Sequence, residues 1–538
     1  MLHDFILGGD WLLIVLVMAG VIPELAASYQ FLLIAVHWRR NHYANCEPWF
    51  PRTAVLIPAW NEAAVIGASI DRLMLLDYPR ESLRIYVVDD ASTDATPDVV
   101  RAKADEYPGN VVHIRRENGG QGKAHTLNAG LEVILADDWM QALLIMDADV
   151  IYEPPSLRMM TRHLADPRVG AVTAYIKEGS RPGNYLTRFI SYEYITAQAA
   201  ARRSQNVLGA IACLAGGAQL HSRENLLAVG GRIDTSSLAE DTFTTFKTQL
   251  AGRRVVFEPH ATVWAEEPDN INGLWKQRLR WARGNVQVTW QYRRLWFRPR
   301  REHRLGSVSF GIFWFCLFLQ PVFMITSSVS LVILYYADFP RAWGVFHVLW
   351  ITNAATYIFL TTFSVLIDPP TGRHAWREAI MFPGAVNLSI IVYCCFPLLF
   401  REGLRHVPGV SQLTGGHGSA GPLILVIYVW LTASMAVAWL AKAAEPWRFG
   451  RLISPLLVYI VGYGSLLCAC TFASYVKELR KAEMKWDKTE KTGKVAIPGL
   501  PVLPARASSG HSVARSAPRC AMSAGCSSRP CWPWRWWH

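Results

Sequence analysis

Cysteine is scarce, with ten in 538 residues, and no pair of CxxC elements occurs. Cys394, Cys395, Cys468 and Cys470 fall inside apolar runs, which speaks against a zinc site or a disulfide framework. A GxGxxG fingerprint is missing after the first strand-like run, and GxxxxGK[ST] spacing is missing throughout, so dinucleotide and P-loop folds are set aside. The N-terminus has neither a basic region nor a small-residue cleavage signal, so Trp11–Val36 is read as a retained anchor. Charged residues make up only 18% of the chain. The net charge of +12 is local: from Tyr475 onward twelve Lys/Arg face four Asp/Glu, and another basic block runs from Arg293 to Arg304. Such flanks mark the cytoplasmic side of membrane segments and bind anionic lipid, and no nucleic-acid partner is expected.

Long apolar runs fill residues 1–40 and 305–475. Five occur in the second region, Ser307–Ala337, Ala342–Ile367, Ala379–Phe400, Pro422–Ala441 and Leu452–Ser474. With a catalytic part and a Lys-rich tail both inside, five crossings give the wrong parity. Ala379–Phe400, interrupted by Pro383, Gly384 and Pro397 and flanked by Arg373, Arg377, Arg401 and Arg405, is the expected re-entrant or interfacial segment. Residues 476–538 read as a basic cytosolic tail, disordered beyond about residue 500.

Between the apolar regions, residues 50–290 read as a soluble α/β domain. Strands are expected at Ala54–Pro58, Arg84–Asp89, Val111–Arg115, Ala142–Met146, Val169–Tyr175 and Val255–Glu258, with helices at Ala63–Leu75, Thr96–Glu106 and Lys123–Leu135. This alternation predicts a mostly parallel sheet whose ligands bind beyond the carboxyl ends of the strands.

Unusual polar residues stand at those ends. VVDDAST supplies Asp89 and Asp90, which can accept from a nucleobase N–H or a ribose hydroxyl, or simply form a turn or helix cap. GGQGKAHT places Lys123 at a Gly-rich turn into a helix, suited to a diphosphate and equally to a solvated surface lysine. In LLIMDADV, Asp147 and Asp149 lie two apart at the end of an apolar strand and share one face, as a hard divalent cation bridging to phosphate requires. AEDT brings Glu240 and Asp241 to a helix start, where they serve the helix dipole or, for Asp241, a general-base role. GLWKQRLRWARGN gathers Gln277, Arg280 and Trp281 within about one helical turn on a basic amphipathic segment that also suits a membrane surface.

The ordered set PAWNE, DDAS, GK, DAD, ED and QRLRW resembles the processive membrane-bound family 2 glycosyltransferases, the group of cellulose, chitin, hyaluronan and poly-N-acetylglucosamine synthases. GLWKQRLRWARG and DPRVGAVTAYI are most similar to bacterial poly-β-1,6-N-acetylglucosamine synthases. The resemblance implies a GT-A type nucleotide-sugar domain between transmembrane helices. It implies that Glu62 and Asp90 contact uridine, that Lys123 approaches the diphosphate, and that Asp149 is the main ligand of Mg²⁺ or Mn²⁺ with Asp147 beside it at the nucleotide. Asp241 would be the base, Gln277 and Arg280 would hold the diphosphate, and Trp281, with Glu240, would meet the acceptor sugar. The expected product is a β-linked polysaccharide made from a UDP-sugar at the inner membrane, with UDP-N-acetylglucosamine favoured over UDP-glucose, and with a possible accessory export protein as partner. Two departures are Trp60 where tyrosine is common and Leu238-Ala239 where a threonine commonly precedes the acidic pair. The rivals are a non-processive transferase acting on a polyprenyl or other lipid, which usually lacks QxxRW, and a transporter with a nucleotide-sugar-binding regulatory domain.

Overall fold

A computed structural model describes residues 11–40, 45–398, 421–483, 493 and 495. The expected tail beyond residue 500, and Arg401 and Arg405, lie outside the described residues. The chain begins in an apolar span, α1 (Trp11–His37), broken by a single 3₁₀ turn at Ala19–Val21.

The α/β part is an eight-stranded mixed sheet in the order β3-β2-β1-β4-β7-β6-β8-β5. Its strands are β1 (Thr53–Ala59), β2 (Leu83–Asp89), β3 (Val111–Arg115), β4 (Ala142–Ile145), β5 (Ile151–Tyr152), β6 (Val169–Glu178), β7 (Gln219–Ser222) and β8 (Arg254–Ala265). The pairs β1–β2, β2–β3, β1–β4 and β6–β8 are parallel. By contrast β7 runs antiparallel to both β4 and β6, and β5 to β8. The sheet is therefore less uniformly parallel than the alternating pattern predicts. The reason is that β5 and β7 are only two and four residues long and carry no readable alternation of their own.

Strands β1 and β4 read as continuous apolar runs because both faces are covered. Val55, Leu56, Ile57, Leu143, Leu144 and Ile145 are all fully buried. Each such side chain contributes roughly 1.5–3 kcal/mol relative to exposure. Helices α2 (Ile66–Met74) and α3 (Thr96–Glu106) follow β1 and β2, and α4 (Lys123–Ile134) precedes β4. On one side of the sheet α2 buries Ile66, Ile70 and Leu73, and on the other α4 buries Leu127, Leu131 and Ile134. The register aligns Thr53 with both Leu83 and Ala142, so β1, β2 and β4 end along one edge of the sheet.

Further along come α5 (Tyr185–Tyr194), α6 (Glu240–Leu250) and the long α7 (Ile271–Gln291). An apolar series follows: α8 (Val308–Phe318), α9 (Gln320–Ala337), α10 (Phe339–Ile367), α11 (Ala385–Cys395), α12 (Gly421–Ala444), α13 (Gly450–Val461) and α14 (Tyr463–Leu479). Among the described residues four helices are long and apolar enough to cross a membrane: α1, α9, α10 and the Ile424–Ala444 part of α12. At 11 residues, α11 rises only about 16 Å, short of a hydrocarbon core of about 30 Å. The last apolar run bends by 96° between α13 and α14, so two segments fall short of a straight crossing where one was expected.

Charged groups join the helices to the sheet. The Glu445 carboxylate, just beyond α12, accepts from the backbone N–H of Ile271 and Asn272 at 2.7 Å each and so caps α7 from outside. Further along α7, Arg283 reaches Glu478 of α14 at 2.5 Å and the Ala482 carbonyl at 2.7 Å. Asp368 after α10 accepts from Lys177 (2.8 Å) and from the Tyr175 hydroxyl (3.0 Å) of β6.

His221, on β7 at the sheet's centre, is fully buried, and burial lowers its pKa to about 4 from 6.5. Between these two values only the unfolded chain takes up the proton. Stability present above pH 6.5 should therefore fall on acidification, by about 2 kcal/mol at pH 5. Thermal unfolding of the detergent-solubilised protein between pH 7.5 and 5 is expected to show this decline and to show a shallower one in His221→Leu. Equal slopes in the two proteins would exclude His221 as its source.

Candidate active site

The shared strand edge explains why acidic and polar groups converge. Beyond β1, Asn61 takes a left-handed conformation (φ 53°), and its side chain accepts from the Thr93 N–H after β2 at 2.8 Å. This turn carries Glu62 to the wall of a cavity of about 1400 Å³. Asp90 lies on the same wall, its carboxylate accepting from the Gly120 N–H at 2.9 Å and paired with Arg116. The Gly-rich loop packs so closely here that a Cβ on Gly119 would lie 2.2 Å from the Asp90 carbonyl oxygen.

Asp89 is not brought to this cavity. Its side chain is fully buried and accepts from Arg115 at 2.6 Å and from the Ser92 N–H at 2.8 Å. Neighbours on an extended chain point to opposite sides, so the two adjacent aspartates cannot share one ligand. The turn-forming alternative describes Asp89.

The remaining candidates cluster. Lys123, first residue of α4, lies 2.6 Å from Asp147 and 3.5 Å from Glu240, and donates to the Gly216 carbonyl at 3.2 Å. Gly216 forms the floor, where a Cβ would lie 3.3 Å from both the Asp241 carboxylate and the Lys123 ammonium. Burial alone would lower the Lys123 pKa, but Asp147, Glu240 and Asp241 together raise it, so the ammonium stays charged. Burial and the neighbouring Asp241 push the Glu240 carboxyl up, against Lys123 and Arg280. Lys123 and Arg280 thus face three carboxylates, of which Glu240 is buried and Asp147 partly exposed.

Asp147 and Asp149 both line the cavity, but from a turn beyond β4, in which the Val150 N–H donates to the Asp147 carbonyl at 3.2 Å, and not from an extended strand. Among the described residues no group of three or more His, Cys, Asp or Glu side chains is arranged to hold a metal. Two carboxylates suit Mg²⁺ or Mn²⁺, hard cations bound through one or two protein oxygens with phosphate oxygens and water completing the shell. The donor set therefore fits such an ion shared with a phosphorylated ligand.

Helix α7 supplies the opposite wall with Gln277, Arg280 and Trp281. Its geometry depends on Arg278, which sequence reasoning passed over. This guanidinium makes a two-point bond to Glu193 of α5 (3.1 and 2.8 Å), donates to the Gln277 amide oxygen (2.5 Å), and stacks 4.2 Å from the Trp281 ring centre. Glu193 also accepts from the Tyr463 hydroxyl of α14 at 2.7 Å. Glu267 accepts from Gln277 (3.1 Å) and from the Tyr194 hydroxyl (2.5 Å). Burial alone would lower the Arg278 pKa, yet Glu193 and its neighbours raise it well above the usual arginine value. A lone Glu among the aromatics of SYEYIT was the available signal for Glu193, but its partner lies 85 residues away.

The cavity does not end at these residues. It continues between α1, α8, α9 and α10, where Phe313, Trp350 and Tyr357 also line it. Removing one member of the buried Arg278–Glu193 pair should cost about 3–5 kcal/mol by leaving the other charge unpaired. Thermal inactivation of Glu193→Leu, Arg278→Met and the double variant should show the double variant losing less than the two singles combined. Additive losses would mean that the pair is not coupled.

The family model described as "Glycosyltransferase like family 2" matches residues 51–284. "Probable glycosyltransferase YdaM" of Bacillus subtilis (strain 168) is 30% identical over 333 residues, covering 62% of this chain and 76% of that protein. "Poly-beta-1,6-N-acetyl-D-glucosamine synthase" of Staphylococcus aureus (strain COL) is 30% identical over 234 residues, 43% of this chain and 54% of that one, so the match spans about half of that relative's length. Among solved structures, a mannosyltransferase from Pyrobaculum calidifontis in complex with GDP-Man and Mn²⁺ aligns with a TM-score of 0.47 and 23% identity, covering 67% of this chain and 99% of that one. With the acidic strand ends, the lysine turn and the α7 wall gathered on one cavity, the match along most of a relative's length makes the chain a member of the family 2 glycosyltransferases.

Proposed function

We propose that this protein is a processive, inverting glycosyltransferase that polymerises a UDP-sugar, with UDP-N-acetylglucosamine favoured and UDP-glucose next, into an exported polysaccharide. The observation that carries this reading is the continuity of one cavity from Asp241, past Trp281, into the space between apolar helices. A transferase that moves a single sugar to a water-soluble acceptor needs no such extension, whereas a growing chain must leave the acceptor site by some path. The similarity to a poly-β-1,6-N-acetylglucosamine synthase supports the choice of sugar.

In this reading Glu62 and Asp90 hold the uridine, and Gln277 and Arg280 bind the diphosphate. A divalent cation held by Asp149, with Asp147 beside it, would supply positive charge to the departing diphosphate. Trp281, with Glu240, orients the terminal sugar of the chain. Asp241 accepts the proton from the attacking hydroxyl as the anomeric carbon–phosphate oxygen bond breaks and UDP leaves. Attack comes from the face opposite the leaving group, so an α-linked donor gives a β-linked product. Lys123 keeps the acidic cluster from repelling the anionic donor, and Arg280 meets charge that grows as the bond breaks. The protein is assigned to the plasma (inner) membrane as a multi-pass enzyme, with residues 50–290 cytoplasmic, 1–40 and 305–475 in the membrane, and the basic tail inside. Its partners would be the UDP-sugar, the growing polysaccharide, membrane lipid and an accessory export protein.

Purified protein in detergent is to be given radiolabelled UDP-N-acetylglucosamine, UDP-glucose or UDP-glucuronate with Mg²⁺ or Mn²⁺. The expected result is high-molecular-weight product from one donor, abolished by chelation and lowered about 10²–10⁴-fold in Asp241→Asn. Label confined to single sugars on organic-extractable lipid would overturn the polymerase reading.

A further inference from the structure

Helix α5 runs on through a π-helical turn, Ile195–Ala200, into a further helix, Ala201–Leu208. Such turns recur where a helix re-aims side chains at a functional site. Here Ala197, Ala201 and Arg202 line the cavity. Short links set this helix against Asp241. Gln205 accepts from the Ala212 N–H at 3.0 Å, and Leu214 donates its N–H to the Thr245 hydroxyl at 2.8 Å. That hydroxyl donates in turn to the Asp241 carbonyl at 2.6 Å. Cys213, between Ala212 and Leu214, sets its thiol beside the Asp241 carboxylate. Arg202 itself is 9% exposed. Both of its hydrogen bonds leave from Nη1, to the Ala174 carbonyl at 3.3 Å and the Gln198 amide oxygen at 3.1 Å, so Nε and Nη2 have no partner among the described residues. Neither atom is closed off from the cavity that Arg202 lines. Burial lowers the Arg202 pKa, and the nearby Cys213 thiol and Asp241 carboxylate raise it. A guanidinium only donates, so its unmade bonds ask for an acceptor oxygen.

We propose that Arg202 is a specificity-determining residue that donates to the acetamide carbonyl oxygen of the acceptor's terminal sugar, an assignment that rests on the polymerase reading. A carbonyl only accepts and so matches a partner that only donates. A sugar carboxylate would also meet the guanidinium, but it would stand close to Asp241, where like charges repel. The acetamide methyl has a place as well, because Ala197 and Ala201 put no more than a methyl group each on the same stretch of wall. Glucose carries a hydroxyl at the position of the acetamide, too short to reach the donor and fill the space together. A site built to hydrogen-bond one substituent rejects the analogue that lacks it. Arg202 would therefore select an N-acetylated acceptor over a glucose one before transfer.

The test uses full-length protein in lipid nanodiscs with β-linked pentamers of N-acetylglucosamine and of glucose. Binding is followed by tryptophan fluorescence, and transfer by the radiolabelled donor that gives polymer. The wild type is expected to bind the acetylated pentamer about 10–100-fold more tightly, the size of one hydrogen bond to a charged group. Arg202→Met should lose most of that preference by weakening the acetylated pentamer and sparing the glucose one. Arg202→Lys, which keeps the charge without the fork, should retain part of it. Ala197 is exposed to the cavity, so Ala197→Leu keeps the test informative if Arg202→Met fails to fold. It should fill the methyl's place and weaken the acetylated pentamer alone. Equal weakening of both pentamers in Arg202→Met would mean a structural role and overturn the assignment. An unchanged preference in Arg202→Met and Ala197→Leu would overturn it too, and either result leaves the polymerase standing. A wild type that transfers only single sugars to lipid would remove the polymerase and the assignment with it.

Discussion

Arg278 is a cation with almost no contact with water, gripped at two points by Glu193 and covered by the Trp281 ring. Everything on the α7 side of the site leans on that grip. A buried ion pair is weak as a source of stability, because desolvating two charges offsets most of their attraction. What it imposes is geometry, since each alternative packing would strand a charge. Through Glu193 the pair fixes α7 against α5, and through the Tyr463 hydroxyl it extends to the bend between α13 and α14. Gln277 and Trp281 are thereby positioned by groups that belong to the apolar helices as much as to the α/β domain. Glu445 at the start of α7, and Glu478 through Arg283 further along it, do the same work.

The opposite wall follows another constraint. Three carboxylates gather around Lys123, with Arg280 also acting on Glu240. Clustering like charges is costly for folding, so the cluster depends on these cations. The Gly216 floor permits it, since any side chain there would crowd both Asp241 and Lys123. The site is thus divided into an acidic half built on strand ends and a cationic, aromatic half built on α7, with the cavity running between them and onward among the apolar helices.

Much of this was legible before any coordinates. Apolar runs that stop at DD and DAD mark strand ends, because a charge on a buried strand is costly unless a partner meets it, as Arg115 meets Asp89. The strand β3 coincides with its expected bounds, and the others differ by one to three residues at their ends, except β8, which runs seven residues past its expected end at Glu258. β5 and β7 escaped notice because two to four residues show no period. Of the candidate residues Asp89 alone is absent from the cavity lining, and the alternation of an extended chain is a sufficient reason. Arg278 sits inside the very motif that drew attention to Gln277, Arg280 and Trp281, yet nothing local distinguishes an arginine that binds a ligand from one that binds a distant glutamate.

The sequence by itself determined the chemistry on offer and its order along the chain: an acidic and basic set on an α/β framework, bounded by apolar segments. Those properties are local, written in composition, periodicity and the places where apolar runs end. Only the tertiary structure decided which groups meet. The insertion of β7 beside β4, the Arg278–Glu193 pair, the capping of α7 by Glu445 and the bend between α13 and α14 all join residues far apart in the chain. Such contacts depend on how buried charges find partners once apolar surfaces have packed, and no single segment carries that information.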